Sequence, residues 1–187
     1  MPISKIQSDS LTAGVGGKVL QVVLGKLTTG FTDTGVAGTF PADNYFVSPG
    51  LEATITPQFS NSQILITTHV YAGMTSTNSG YQLEYQILKG GAILTAANGA
   101  TTDGRLGVAA RANYYTAANA THRTFVMSGQ HLDPNVATTS ATKYEIRVRA
   151  YSGNPVVYIN RSETFQDGNN DFDGIPQSTI TLTEIAV

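Results

Sequence analysis

The chain has 187 residues, enough for one domain with a real core, and is 41% apolar but only 13% charged, about half the usual charged share. A net charge of −2 argues against a general nucleic-acid binder, which needs a basic stripe to release counterions. The absence of cysteine excludes a disulfide framework and a thiolate metal site. Thr, Ser, Asn, Gln and Gly fill the place of the missing charges. Hydroxyls suit a half-exposed pleat, and such a surface fits life in an assembly or outside a cell. The opening Met1-Pro2-Ile3-Ser4-Lys5 has no basic segment followed by an apolar run, so no signal peptide is expected. No stretch is long and apolar enough to span a membrane.

Residues 1–18 read as an N-terminal arm, with Ile3, Ile6 and Leu11 spaced by polar residues and a glycine-rich end. Three spaced apolar residues on so short a piece point to docking on a partner chain. Strands begin after Lys18. Val19 to Leu24 is a compact apolar run, and residues 30–50 read as a long loop. Leu51 to Thr56 alternates and stops at Pro57. Ile64 to Ala72 follows, with Ile64, Ile66, Val70 and Ala72 on one face, and residues 75–80 form a turn. Tyr81, Leu83, Tyr85 and Ile87 alternate with Gln82, Glu84, Gln86 and Leu88 before the turn Lys89-Gly90-Gly91. Ile93 to Ala96 is a short strand, and Arg105 to Tyr115 is a weaker one with helical ambiguity. Arg123 to Leu132 ends at Asp133-Pro134-Asn135. In Lys143 to Tyr151, Tyr144, Ile146, Val148 and Ala150 oppose Glu145, Arg147, Arg149 and Tyr151. Val156 to Arg161 and Ser178 to Val187 close the chain. A strand at the C-terminus must pair inside a sheet or expose its backbone groups. Eight to ten short strands without a convincing amphipathic helix indicate an all-β sandwich or jelly roll.

Chemistry is sparsely written. Gly16-Gly17-Lys18 fails as a phosphate loop, because Thr12 stands where the first glycine should be and a strand follows. Asp167-Gly168-Asn169-Asn170-Asp171-Phe172-Asp173-Gly174 offers oxygen ligands of the kind calcium prefers. Its spacing is not that of an EF-hand, since Ile180 stands where the bidentate Glu is needed, and a solvated turn is the simpler reading. His69, His122 and His131 have no nucleophile elbow beside them. Asn119-Ala120-Thr121 and Asn160-Arg161-Ser162 match the glycosylation pattern without a secretory context. No enzyme activity, cofactor or metal is expected. Tyr144, Arg147, Arg149 and Tyr151 are the expected subunit interface, because Tyr and Arg are enriched in such seams. A solvated sheet face is the alternative reading.

Ala150-Tyr151-Ser152-Gly153, Val157 to Ser162 and Ser178 to Ala186 resemble the closing segment of virion proteins of marine and cyanobacterial tailed phages. Gly17 to Val23, Leu51 to Pro57, Ser62 to Ile66 and the opening Pro2 to Ile6 resemble them as well. Residues 74–140 carry no such likeness. The resemblance implies a C-terminal jelly roll, often trimeric and similar to tumour-necrosis-factor-like heads, with a role on the virion surface. Many fibre members have a long repetitive stem before this domain. A short arm in its place points to a protein bound directly to the capsid or to another virion protein. The expectation is therefore an arm (1–18) and a jelly-roll domain (19–187) forming a homotrimeric capsid decoration or cement protein in the virion. The expected partner is the major capsid protein or another virion protein, engaged through Ile3, Ile6 and Leu11, with neither nucleic acid nor membrane. A tail-fibre or receptor-binding tip that adheres to a host glycan is the alternative, and a carbohydrate-active enzyme is the third reading.

Overall fold

The computed structural model describes residues 17–33, 48–74, 81–99, 107–114, 124–151, 156–162 and 174–187. Period-two patterning builds its long strands. In Ser178–Ile185 every second residue is buried, from Ser178 through Ile180 and Leu182 to Glu184, and the threonines between them are half-buried. β-Branched residues fit such a pleat. Among the described residues the strands are β1 (Val19–Leu27), β2 (Phe31–Asp33), β3 (Glu52–Ile55), β4 (Gln63–Met74), β5 (Tyr81–Lys89), β6 (Ala92–Ile93), β7 (Ala110–Tyr114), β8 (Phe125–Asp133), β9 (Thr142–Tyr151), β10 (Val157–Ile159) and β11 (Ser178–Ile185).

They form two antiparallel sheets in a sandwich-like, all-β architecture. The first runs β1, β11, β4, with β8 along the other edge of β4 and the short β10 and β2 continuing past β11. The second runs β3, β9, β5, with β7 and β6 on the far edge of β5. With the short β2, β6 and β10 set aside, eight principal strands remain. The first pairs with the eighth (β1, β11), the second with the seventh (β3, β9), the third with the sixth (β4, β8) and the fourth with the fifth (β5, β7). Two further pairings, β4 with β11 and β5 with β9, join these couples into sheets.

The core lies between the sheets. Ile64, Ile66, Val70, Ile180 and Leu182 face Leu83, Ile87, Ile146 and Val148, all fully buried. Each such aliphatic side chain contributes about 1.5–3 kcal/mol relative to exposure. The layers also meet along their edges, β1 against β3 and β7 against β8. At Gly25 of β1 a Cβ would fall 2.0 Å from the backbone oxygen of Glu52, so only glycine permits this approach.

Three sequence expectations change. The loop expected at 30–50 contains β2, which pairs with β10 and packs Phe31 against the core. The strand expected at Ile93 to Ala96 ends at Ile93, because Asn98 donates to the carbonyls of Leu94 and Ile87 and accepts the Ile87 N–H. That side chain takes the place of a neighbouring strand. The weak strand at Arg105 to Tyr115 narrows to β7 within the described residues. Ile3, Ile6 and Leu11, most of the 167–174 loop and the turn at 75–80 lie outside those residues.

Candidate functional site

The two outer sheet faces differ in chemistry. On the second sheet, side chains pointing away from the core form a ladder of internally matched charges. Glu84 of β5 is fully buried and sits between Arg111 of β7 and Arg149 of β9, opposite both in register. Arg111 donates from Nε at 2.7 Å and Nη2 at 2.5 Å to Oε1, and Arg149 from Nε at 2.7 Å and Nη2 at 2.6 Å to Oε2. Each carboxylate oxygen thus accepts two charge-assisted hydrogen bonds from one guanidinium, roughly twice as strong as neutral ones. One rung along, Arg147 donates from Nε and Nη2 to Oε1 of Gln86 at 2.9 and 2.6 Å. Further on, Lys143 meets Glu145 at 2.8 Å and Glu52 at 3.2 Å.

The expected interface residues do not all share this face. Arg147 and Arg149 point outward from β9 and are engaged within the chain. Tyr144 points the other way, is fully buried, and donates to Asp133 Oδ2 at 2.7 Å. Burial and the Asp133 carboxylate push its hydroxyl far above the ordinary value. Lys89 reaches the same oxygen at 2.7 Å and adds the Val136 carbonyl at 3.0 Å. Asp133 on β8 is therefore a clamp between the sheets. Tyr151 is paired with Gln82, and its side chain lies outside the described set.

The outer face of the first sheet is built otherwise. Its rungs cross four strands. Lys26, Thr179, His69 and Ser128 form one. Leu24, Thr181, Thr67 and Gln130 form the next, and Val22, Thr183, Leu65 and Leu132 the third. Val19, Ile185 and Gln63 continue it at one end, and Tyr71 with Val126 closes the other. Among these residues only Lys26 carries a full charge. Val22 is 59% exposed, Leu24 49%, Val126 52% and Leu132 39%, so Val22 and Leu24 face outward on the β1 flank of a threonine strip, and Val126 and Leu132, with Ser128 and Gln130 between them, on the β8 flank. His69 is exposed and shares a hydrogen bond with Ser128 at 2.9 Å.

Sequence reasoning missed this face. Val19 to Leu24 reads as an undivided apolar run, and a register irregularity between Val19 and Gln21 shifts the alternation, so the outward positions cannot be separated by eye. The available signal was the Thr179, Thr181, Thr183 alternation, which marks an uncharged outer row.

The inner carboxylates serve structure. Glu184 is buried beside the 57–62 loop and accepts from Gln21 Nε2 at 2.6 Å, Ser62 Oγ at 2.7 Å and the backbone N–H groups of Gln58 at 2.7 Å and Phe59 at 3.4 Å. Burial pushes this carboxyl up, but the four donors outweigh it and hold it below the ordinary carboxylate value. Among the described residues no three His, Asp or Glu side chains gather as a metal site. No family model matches the chain, and no curated protein matches it.

Proposed function

We propose that this chain is a jelly-roll virion structural protein of a tailed phage, a homotrimer that decorates or cements the capsid head. The observation that carries the reading is the sparsely charged, partly aliphatic outer face of the first sheet. Apart from Lys26 it carries no full charge, so copies that converge on it around a threefold axis meet few like charges, whereas a charged face resists self-association. The second copy of the chain is its occupant.

Two further features support the reading. Couples of first with eighth, second with seventh, third with sixth and fourth with fifth strand are those of a four-couple ribbon rolled into two sheets. Rolling such a ribbon gives the paired Greek keys of a jelly roll. The pieces that resemble phage virion proteins fall on strands of both sheets. Gly17 to Val23, Ser62 to Ile66, Val157 to Ser162 and Ser178 to Ala186 supply the start of β1, the start of β4, β10 and β11 in the first sheet, while Leu51 to Pro57 supplies β3 and Ala150-Tyr151 the end of β9 in the second. The first-sheet pieces include the buried Ser62, Asn160, Ser178 and Glu184 and the half-buried Gln21, which hydrogen-bond to one another within that sheet.

In this reading the arm bearing Ile3, Ile6 and Leu11 docks on the capsid protein or another virion protein. Ordering each arm residue costs about 1–2 kcal/mol, so the arm orders only against a preformed surface. Three arms on one trimer would raise the effective concentration at a threefold site. Sedimentation equilibrium tests association first: three times the 19.8 kDa chain mass is expected, and a monomer would overturn the homotrimer. Gold-labelled antibody on purified virions then tests location. Label over the head is expected. Label at the tail would replace decoration with a receptor-binding fibre tip.

A further inference from the structure

The inner face of β8 holds one polar atom without a partner among the described residues. His131 lies opposite Ile66, which in turn lies opposite Leu182. Its Nε2 is buried and has no hydrogen-bond partner among the described residues. The ring rests on the bare backbone of Gly129, where a Cβ would fall 2.6 Å from Nε2 and 2.9 Å from the Tyr85 hydroxyl. That hydroxyl is already bonded to Thr68 Oγ1 at 2.7 Å. In the tautomer with its proton on Nδ1, a neutral imidazole keeps only an unshared lone pair here. A protonated one places a charged N–H donor at a buried position with no hydrogen-bond partner among the described residues, which desolvation penalises.

We propose that His131 makes β8 proton-sensitive: mild acid draws the half-buried imidazole outward and loosens the strand that borders β7. The surroundings offer the charged ring little. β5 presents Tyr85, and Lys89 of the same strand is bound to Asp133. β9 presents Tyr144, also bound to Asp133. Asp133, two residues along β8, is thus already matched. β4 and β11 present Ile66, Thr68 and Leu182, none of them titratable. Burial accordingly holds His131 below the ordinary imidazole value of 6.5.

The sign follows from proton linkage. The unfolded chain binds the proton first as pH falls, so stability is full above 6.5 and declines below it until the folded imidazole also titrates. Each unit of separation is about a tenfold loss in the folding equilibrium. Glu184 gives its loss in a lower window. Its contribution is present above the ordinary carboxylate value of 4.5 and declines as pH falls through the depressed folded value.

The test follows the imidazole Cε1–H resonances of the full chain by NMR from about pH 7.5 to about pH 5. Amide exchange of β8 peptides is measured over the same range. The His131 resonance is expected to titrate below 6.5, and β8 amides are expected to exchange faster at the acid end. His131→Leu should abolish that acid acceleration, and His69→Gln should keep it. A His131 resonance titrating at or above 6.5 would overturn the proposal, as would His131→Leu with the wild-type acid response. If His131→Leu does not fold, the wild-type titration and exchange decide alone. Val126, Gln130 and Leu132 of β8 belong to the proposed association face, so weaker association in mild acid rests on that reading. Exchange at β8 is measured whether or not the chain associates, so the two ideas fail separately.

Discussion

Asn160 shows how a motif and a structural lock can occupy the same residue. By pattern, Asn160-Arg161-Ser162 is a glycan acceptor. In the fold Asn160 follows β10 at φ 59° and is fully buried. Its Nδ2 donates to the carbonyls of Leu27 at 2.6 Å and Thr29 at 3.2 Å, and its Oδ1 accepts from Ser178 N at 3.0 Å and Oγ at 2.5 Å. The backbone N–H donates to Tyr71. Asn is one of the few residues with a side chain that tolerates the left-handed region. Asn160→Ala would leave buried backbone groups unpaired, at roughly 1–3 kcal/mol each, and add roughly 1–2 kcal/mol of backbone strain. A loss of about 3 kcal/mol or more is expected in urea unfolding. Asn160→Gly should recover only the strain, about 1 kcal/mol. If both variants unfold at the wild-type midpoint, the lock contributes nothing.

At the scale of the strand, alternation was legible in the sequence and partnership was not. Reading Tyr144, Ile146 and Val148 against Glu145, Arg147 and Arg149 separates the two faces of β9 correctly, and the structure buries the first set. Nothing local reveals that Glu84 lies between Arg111, 27 residues on, and Arg149, 65 residues on. Register across a sheet is decided by the whole core, not by neighbours in sequence. Both guanidinia of the expected seam, Arg147 and Arg149, have partners inside the chain, which alternation alone does not show. Glu84→Ala would leave two guanidinia without their carboxylate, and breaking a buried pair from one side costs about 3–5 kcal/mol. The expected readout is a lower denaturant midpoint with an unchanged slope. Arg111→Ala should cost less, because the Arg111 side chain is 51% exposed and Arg149 still holds the carboxylate. Equal losses for Glu84→Ala and Arg111→Ala would show that the carboxylate is not the hub.

For the whole molecule, the all-β class followed from turn spacing and alternation, because those are local properties. The nesting of strand couples did not, because β1 and β11 stand at opposite ends of the chain and meet only once the core has formed. The same gap hid the sparsely charged face, whose four strands come from four distant regions of sequence. A substitution can now separate the two candidate surfaces. Leu24 is 49% exposed and points away from the core, so Leu24→Lys places a charge on the β1 flank of the first-sheet face. Symmetric association would bring like charges together at a cost of several kcal/mol, which weakens assembly roughly a hundredfold. The sedimentation mass should fall toward that of one chain while thermal stability at low concentration stays unchanged. Arg111→Ala, on the second sheet, should leave the mass as it is. The opposite pattern would move the interface to the ladder of Arg147 and Arg149. Deleting residues 1–16 addresses the remaining contact: it should preserve the trimer mass and abolish incorporation into particles. Normal incorporation of that truncated chain would remove Ile3, Ile6 and Leu11 from the docking argument and leave the sheet faces to carry it.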